Sequence, residues 1–318
     1  MHKLYLKYLT FVLIIIAILF LNVNKKSSIA NENIFNIKNT SEITKIFLAD
    51  RNGQTITLNK KNNKWTVNNK FNVRKDAIKT LLLTAENIRI KKPVPKTALE
   101  NVAKFIATSG VYIEFYSSDK IIKSYFIGSN TPDHLGTYML LNGNKKPFVV
   151  HIPTFNGFLS PRYGIQGNAL NLSNWRSNLV FNISSENIKH IKYTNYINQE
   201  ESYYLDLTKI KLFNYENQIV SFNKEKVLKL INSFKNLNCE VFKEDKDKIK
   251  LNTALQLEEL IINSDTLRTY QISNSKKINK KDNFTVNRKF ATLNNGDLML
   301  IQDYVFNKVL INITELIN

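Results

Sequence analysis

One segment of this chain occurs twice. Phe148-Val-Val-His-Ile-Pro-Thr-Phe-Asn-Gly-Phe-Leu159 returns in degenerate form as Met299-Leu-Ile-Gln-Asp-Tyr-Val-Phe-Asn-Lys-Val-Leu310. In register, Phe155 meets Phe306, Asn156 meets Asn307 and Leu159 meets Leu310, while the apolar triplet Phe148, Val149, Val150 meets Met299, Leu300, Ile301. Upstream, Asn144 and Asn295 share a polar turn between apolar runs. Because the same order of strand and helix signals precedes both copies, the pattern predicts one module made twice. The expected fold class is α+β: two similar modules, each an antiparallel sheet with one or two covering helices, behind an N-terminal transmembrane helix.

The first module is expected over residues 41–160. Ile43-Thr-Lys-Ile-Phe-Leu-Ala49, Thr55-Ile-Thr-Leu58 and Trp65-Thr-Val67 alternate and are separated by the turn residues Asp50-Arg-Asn-Gly53 and Lys61-Asn-Asn-Lys64, which reads as a meander. From Val73 to Ile90 the period changes: Ala77, Ile78, Leu81, Leu82, Ala85 and Ile88 recur at three and four, an amphipathic helix that Pro93 and Pro95 end. A shorter helix over 97–107 stops at Ser109-Gly110, and four strands follow, ending with Phe148–His151. Residues 161–185 are expected as a spacer. The second module, 186–318, repeats the order. Its helix is read over Lys224–Leu237, its strands around 188–193, 203–207, 210–213, 257–263, 268–273, 289–293 and 298–302, and a solvated charged insertion over 275–283.

Residues 1–30 are read as a membrane anchor and tether. Lys3 and Lys7 precede the apolar run Leu9–Val23, and lysine snorkelling lets lipid contact extend over residues 4–23. Ser28-Ile-Ala30 resembles a cleavage site, but Lys25-Lys26 between it and the apolar core favour an uncleaved anchor. The expected location is the inner membrane, single-pass, with the bulk of the chain periplasmic.

Few chemistries survive inspection. Lys and Arg outnumber Asp and Glu by 45 to 26, a net charge of +19, yet the cations are scattered and no basic run is interleaved with stacking aromatics, so a nucleic-acid partner is not expected. The single cysteine, Cys239, excludes an internal disulfide and reads as a small buried residue. No Gly-x-Ser-x-Gly elbow or phosphate loop is present, and the adjacent pairs Glu200-Glu201, Glu244-Asp245 and Glu258-Glu259 diverge on any regular element and read as solvated faces. No catalytic residue, metal site or cofactor is therefore expected. Asp133-His134 is one candidate polar pair, set against its reading as a plain surface turn. The other candidate is the densest polar–aromatic patch, Arg162, Tyr163, Trp175 and Arg176, which suits an anionic ligand or the pinning of an inter-domain joint.

Several of these segments together carry a resemblance. They are Ile43-Thr-Lys-Ile-Phe-Leu-Ala-Asp-Arg-Asn-Gly53, Trp65-Thr-Val-Asn68, Pro93-Val-Pro-Lys96, Ala107-Thr-Ser-Gly110, Gly136-Thr-Tyr-Met139, His151-Ile-Pro153 and Pro161-Arg-Tyr163. As a set they resemble the bacterial envelope family filed as domain of unknown function 4340, common in Bacteroidota. The resemblance implies a membrane-anchored, duplicated α+β protein and assigns no activity to any residue. The functional expectation is a non-catalytic binding or scaffold protein of the envelope, with membrane lipid and an envelope protein as partners. The alternative is an accessory subunit of an ABC-type transport or gliding-motility apparatus.

Overall fold

The computed structural model describes residues 32–243, 251, 254–271, 288–294 and 296–317. The expected anchor, the whole of the charged insertion over 275–283 and Asn295 lie outside them. The chain divides into two compact units, Met1–Arg176 and Ser177–Asn318.

In the first unit, β1 (Lys45–Ala49), β2 (Thr55–Lys61), β3 (Lys64–Val67) and β4 (Phe71–Asn72) form the expected meander. Helix α1 (Lys75–Asn87), β5 (Arg89–Pro93) and α2 (Lys96–Ser109) come next, then β6 (Val111–Ser117), β7 (Lys120–Asn130), β8 (Thr137–Leu141) and β9 (Phe148–His151). All nine strands join one antiparallel sheet in the order β4-β3-β2-β1-β6-β7-β8-β9-β5. Period-2 alternation gives that sheet two apolar faces in its second half. Ile127, Met139 and Val150 point to the core that also holds Ile78, Leu81 and Ala85 of α1. Their neighbours Phe126, Tyr138 and Val149 point the other way, onto Val102 and Ile106 of α2. Gly128 permits that approach, since a Cβ there would fall 2.8 Å from Ile106 Cγ1 and 2.9 Å from the Tyr138 carbonyl oxygen.

The second unit contains β12 (Leu179–Phe181), β13 (His190–Asn195), β14 (Tyr203–Asp206), β15 (Lys211–Asn214), β16 (Ile219–Val220), α3 (Lys224–Asn232), β17 (Leu237–Asn238) and β18 (Val241–Phe242). Strands β19 (Gln256–Ile262), β20 (Asp265–Tyr270), β21 (Arg288–Leu293) and β22 (Leu298–Gln302) complete it, with the short α4 (Asp303–Phe306) after them. β12 pairs with β17 in a small separate sheet, and the main sheet runs β16-β15-β14-β13-β19-β20-β21-β22-β18. Position for position this is the strand order of the first unit, and the repeated segments sit on the matching strands β9 and β22. The match extends to side chains. Asp50, after β1, accepts from the N–H groups of Asn52 and Gln54, and Asn195, at the end of β13, accepts from those of Ile197 and Asn198. Each is an Asx turn that satisfies the backbone where the strand ends. Asn223 caps α3 by accepting from Glu225 N and Lys226 N at 2.9 and 3.2 Å.

The expected fold class is corrected. The described chain is mostly β, with two nine-stranded sheets, and no helix among the described residues is long and apolar enough to cross a membrane. Short strands that carry no periodic signal account for the difference. The helix expected over Val73–Ile90 ends at Asn87, and Pro93, read only as part of its stop, closes the edge strand β5 (Arg89–Pro93), paired with β9. Pro93 is tolerated there because an edge strand leaves one row of N–H positions unpaired.

Candidate functional site

Residues 161–176 fold into the first unit. A 3-10 turn, Ser160–Tyr163, ends at Gly164 in the left-handed conformation (φ 68°), the hairpin of β10 (Ile165–Gln166) and β11 (Ala169–Leu170) follows, and a second 3-10 turn, Leu172–Asn174, delivers Trp175 into the core. Gly164 is required twice over: its φ disfavours any side chain, and a Cβ would sit 2.7 Å from three atoms of the Trp175 indole. The Arg74 N–H donates to the Trp175 carbonyl at 2.8 Å, which ties this loop to the start of α1.

Between them lies an open cleft of about 220 Å³. Arg74, Asp76 and Thr80 of the α1 end form one wall, and Arg162, Gly164 and Trp175 the other. Arg74 is held by an ion pair to Asp76, with Nη2 at 2.5 Å from Oδ2, and the hydrogen bond from Arg74 holds the Asp76 carboxyl below its usual range. Arg162 donates through Nε to Thr84 Oγ1 at 2.7 Å and lies 4.9 Å from the centre of the Phe155 ring. The Trp175 indole N–H is buried and has no hydrogen-bond partner among the described residues. A buried donor without a partner costs free energy, and this one lies behind Gly164 rather than on the open surface of the cleft.

The cleft thus gathers two of the four residues singled out from the sequence patch. Tyr163 and Arg176 serve elsewhere: Tyr163 is fully buried and shares a 2.9 Å hydrogen bond with Tyr125, and Arg176 stacks 3.8 Å from the Phe71 ring centre. Burial raises the Tyr163 phenol well above its ordinary value, which suits a neutral structural pair. Asp133 and His134 take separate partners. The Asp133 carboxylate accepts from Thr131 Oγ1 and the Leu135 N–H, and the Thr131 bond keeps its pKa low. His134, at φ 55°, contacts Asn130 at 2.6 Å and faces Phe158.

Arg74 and Asp76 escaped the sequence reading, although an Arg-Lys-Asp run opening a helix was visible. Glu258 was misread as solvated. It is buried, accepts from Thr269 Oγ1 at 2.7 Å and Tyr193 at 3.3 Å, and pairs with Lys289 Nζ at 3.0 Å. Its neighbour Glu259 points to the opposite face and pairs with Arg268. Cys239 is buried in the second core. Among the described residues no three His, Cys, Asp or Glu side chains are grouped to hold a metal ion.

These features define a two-unit, mostly β protein with an open cation–aromatic cleft in its first unit. The chain belongs to the family described as Domain of unknown function (DUF4340), whose model matches residues 65–254. No curated protein and no solved structure matches it.

Proposed function

We propose that the chain is a non-catalytic binding protein of the bacterial envelope, held to lipid through residues 4–23 with its bulk on the extracytoplasmic side, and that its two sheets are diverged copies of one module. The cleft is the observation that supports this most. Its charged groups are engaged locally, Arg74 with Asp76 and Arg162 with Thr84, and two cations against one carboxylate leave a net positive wall. Such a surface recognises an acidic side chain or a terminal carboxylate of an envelope protein partner. About 220 Å³ accommodates one or two side chains of that partner.

The test is site-specific photocrosslinking in cells, with the crosslinker at Thr80 in the cleft and, as control, at Lys64 on β3. One envelope protein crosslinks from Thr80 and not from Lys64, and Arg74→Glu abolishes that product. No Thr80-specific product, or one indifferent to Arg74→Glu, overturns the cleft as the binding surface. Recovery of the chain in the cytoplasmic fraction overturns the envelope location.

A further inference from the structure

The outer face of the second sheet carries a row of aromatic side chains that its fold does not require. In both units a buried triad crosses three strands, Ile46–Leu58–Val67 in the first and Ile191–Leu205–Leu212 in the second. One residue along, on the opposite face, Lys192, Tyr204 and Phe213 stand side by side in the second sheet. The first sheet has Phe47 beside Thr57 there, with Asn68 bonded to Thr57. The same topology therefore forms with Thr57 and Asn68 where Tyr204 and Phe213 stand, so the strand order alone does not dictate the tyrosine or the phenylalanine. The Tyr204 ring lies 6.0 Å from His190, nearly parallel at 13°, and 5.8 Å from Phe213, and its hydroxyl shares a 2.9 Å hydrogen bond with His190 Nδ1. The row is thereby stiffened before any ligand arrives.

Beside this row is a groove of about 320 Å³ whose walls include Tyr196, Tyr204 and Tyr215, with Lys192, Gln199 and Asn217 between them. Tyr196 and Tyr215 are 47% and 45% exposed. Tyr193 and Tyr203 also border the groove but are buried in the core, and strand alternation turns their rings to the far side of the sheet. No carboxylate is among its lining residues, and the nearest one recorded, Glu216, accepts from the Tyr215 hydroxyl at 2.9 Å. β13 and β14 are interior strands with neighbours on both sides, so their main-chain groups are already paired and no added peptide strand can be templated there.

We propose that this groove binds an uncharged pyranose oligosaccharide. The flat C–H faces of a pyranose ring stack on tyrosine rings, and its hydroxyls are met by the Gln199 and Asn217 amides, by the tyrosine hydroxyls and by the Lys192 ammonium. Exposed rings interspersed with neutral, adaptable polar groups bind through area and hydrogen bonds without needing charge. The site is independent of the cleft in the first unit.

The test is isothermal titration of the full chain, kept in a detergent without a sugar headgroup, with two probes: a β-1,4-linked N-acetylglucosamine hexamer and a β-1,3-linked glucose hexamer. At least one binds saturably. Tyr204→Ala and Tyr215→Ala each weaken it about tenfold, Tyr215→Phe retains most of the affinity because the ring remains, and Arg74→Glu in the other unit changes nothing. Calorimetric melting of each variant separates lost binding from lost folding, and Tyr204→Thr, which copies Thr57 of the first sheet and removes the ring, replaces Tyr204→Ala if the latter does not fold. The proposal is overturned if neither hexamer binds, if binding survives both alanine variants, or if an uncharged decapeptide binds in a Tyr204-dependent way while the hexamers do not.

Discussion

Gly164→Ala and Gly167→Ala form a matched pair that isolates one contact. Both glycines have left-handed backbone, φ 68° and 61°, in the same loop, so each alanine meets a conformational penalty of about 1 kcal/mol. Beyond that they differ. At Gly167 a Cβ has nothing within 4 Å, whereas at Gly164 it falls 2.7 Å from Cε2, Cζ2 and Nε1 of Trp175. The indole has little room to retreat, being 1% exposed within the first core and tied through its carbonyl to the start of α1. Overpacking of this kind costs about 1–3 kcal/mol more, and the reduced freedom of the unfolded alanine variant returns under 1 kcal/mol in both cases. Gly164→Ala is therefore destabilised by about 1–3.5 kcal/mol in total, and Gly167→Ala by about 0.5 or less. Urea unfolding followed by tryptophan fluorescence reads this directly, because the chain's two tryptophans, Trp65 and Trp175, both belong to the first unit. With a slope of about 2 kcal/mol per molar urea, the two midpoints separate by about 1 M. If they coincide, the indole is not the rigid wall described and the shape of the cleft does not depend on Gly164.

In the second unit, Lys289→Met leaves Glu258 and Asp303 beside one another without their shared cation; the loss is about 3 kcal/mol by urea unfolding monitored in circular dichroism, and Glu258→Val in that background restores part of it. Asn223→Ala removes the α3 cap and costs about 1 kcal/mol in the same assay. His151 on β9 has its pKa lowered from 6.5 by burial and then by the nearby Lys91 cation, so the fold favours the neutral ring. Its contribution is complete above 6.5 and is lost as the pH falls from there through the lowered folded value. The fluorescence-detected urea midpoint accordingly drops as the pH falls below 6.5, and His151→Gln flattens that stretch of the profile.

Strands with alternating apolar residues, and helices with apolar residues at three and four, were legible because burial imposes those periods. Ile46 and Leu48, or Ile78, Leu81 and Ala85, announce their element without further context. β4, β16 and β18 are two residues long, too short to show a period, and exist only because a neighbouring strand offers unpaired backbone. β5 was hidden by Lys91, Lys92 and Pro93, a composition that suits an edge and also suits a helix stop. The cleft was half legible. Arg162 and Trp175 stood out as chemistry, but their partners Arg74 and Asp76 lie far away in sequence and are joined to them through a backbone hydrogen bond that no local pattern encodes.

Where two sheets share one topology, their differences separate what the fold needs from what it only permits. Registered on the same buried triads, Val111 of the first sheet matches Glu258 of the second. One fills its place with a methyl-bearing side chain at no electrostatic cost. The other buries a carboxylate and needs Tyr193, Thr269 and Lys289 to hold it. A buried ion pair seldom exceeds a hydrophobic replacement in stability, so the Glu258 network is not explained by stability alone. Thr57 against Tyr204, and Asn68 against Phe213, apply the same comparison to the outer face. There the second unit exposes ring area to water that the first replaces with small polar groups. Both departures belong to the second unit, one on each face of its main sheet, with β13 contributing Tyr193 to one and Lys192 to the other. By this comparison the second sheet carries more than its topology requires, and the tyrosine groove is the part of that surplus exposed to solvent.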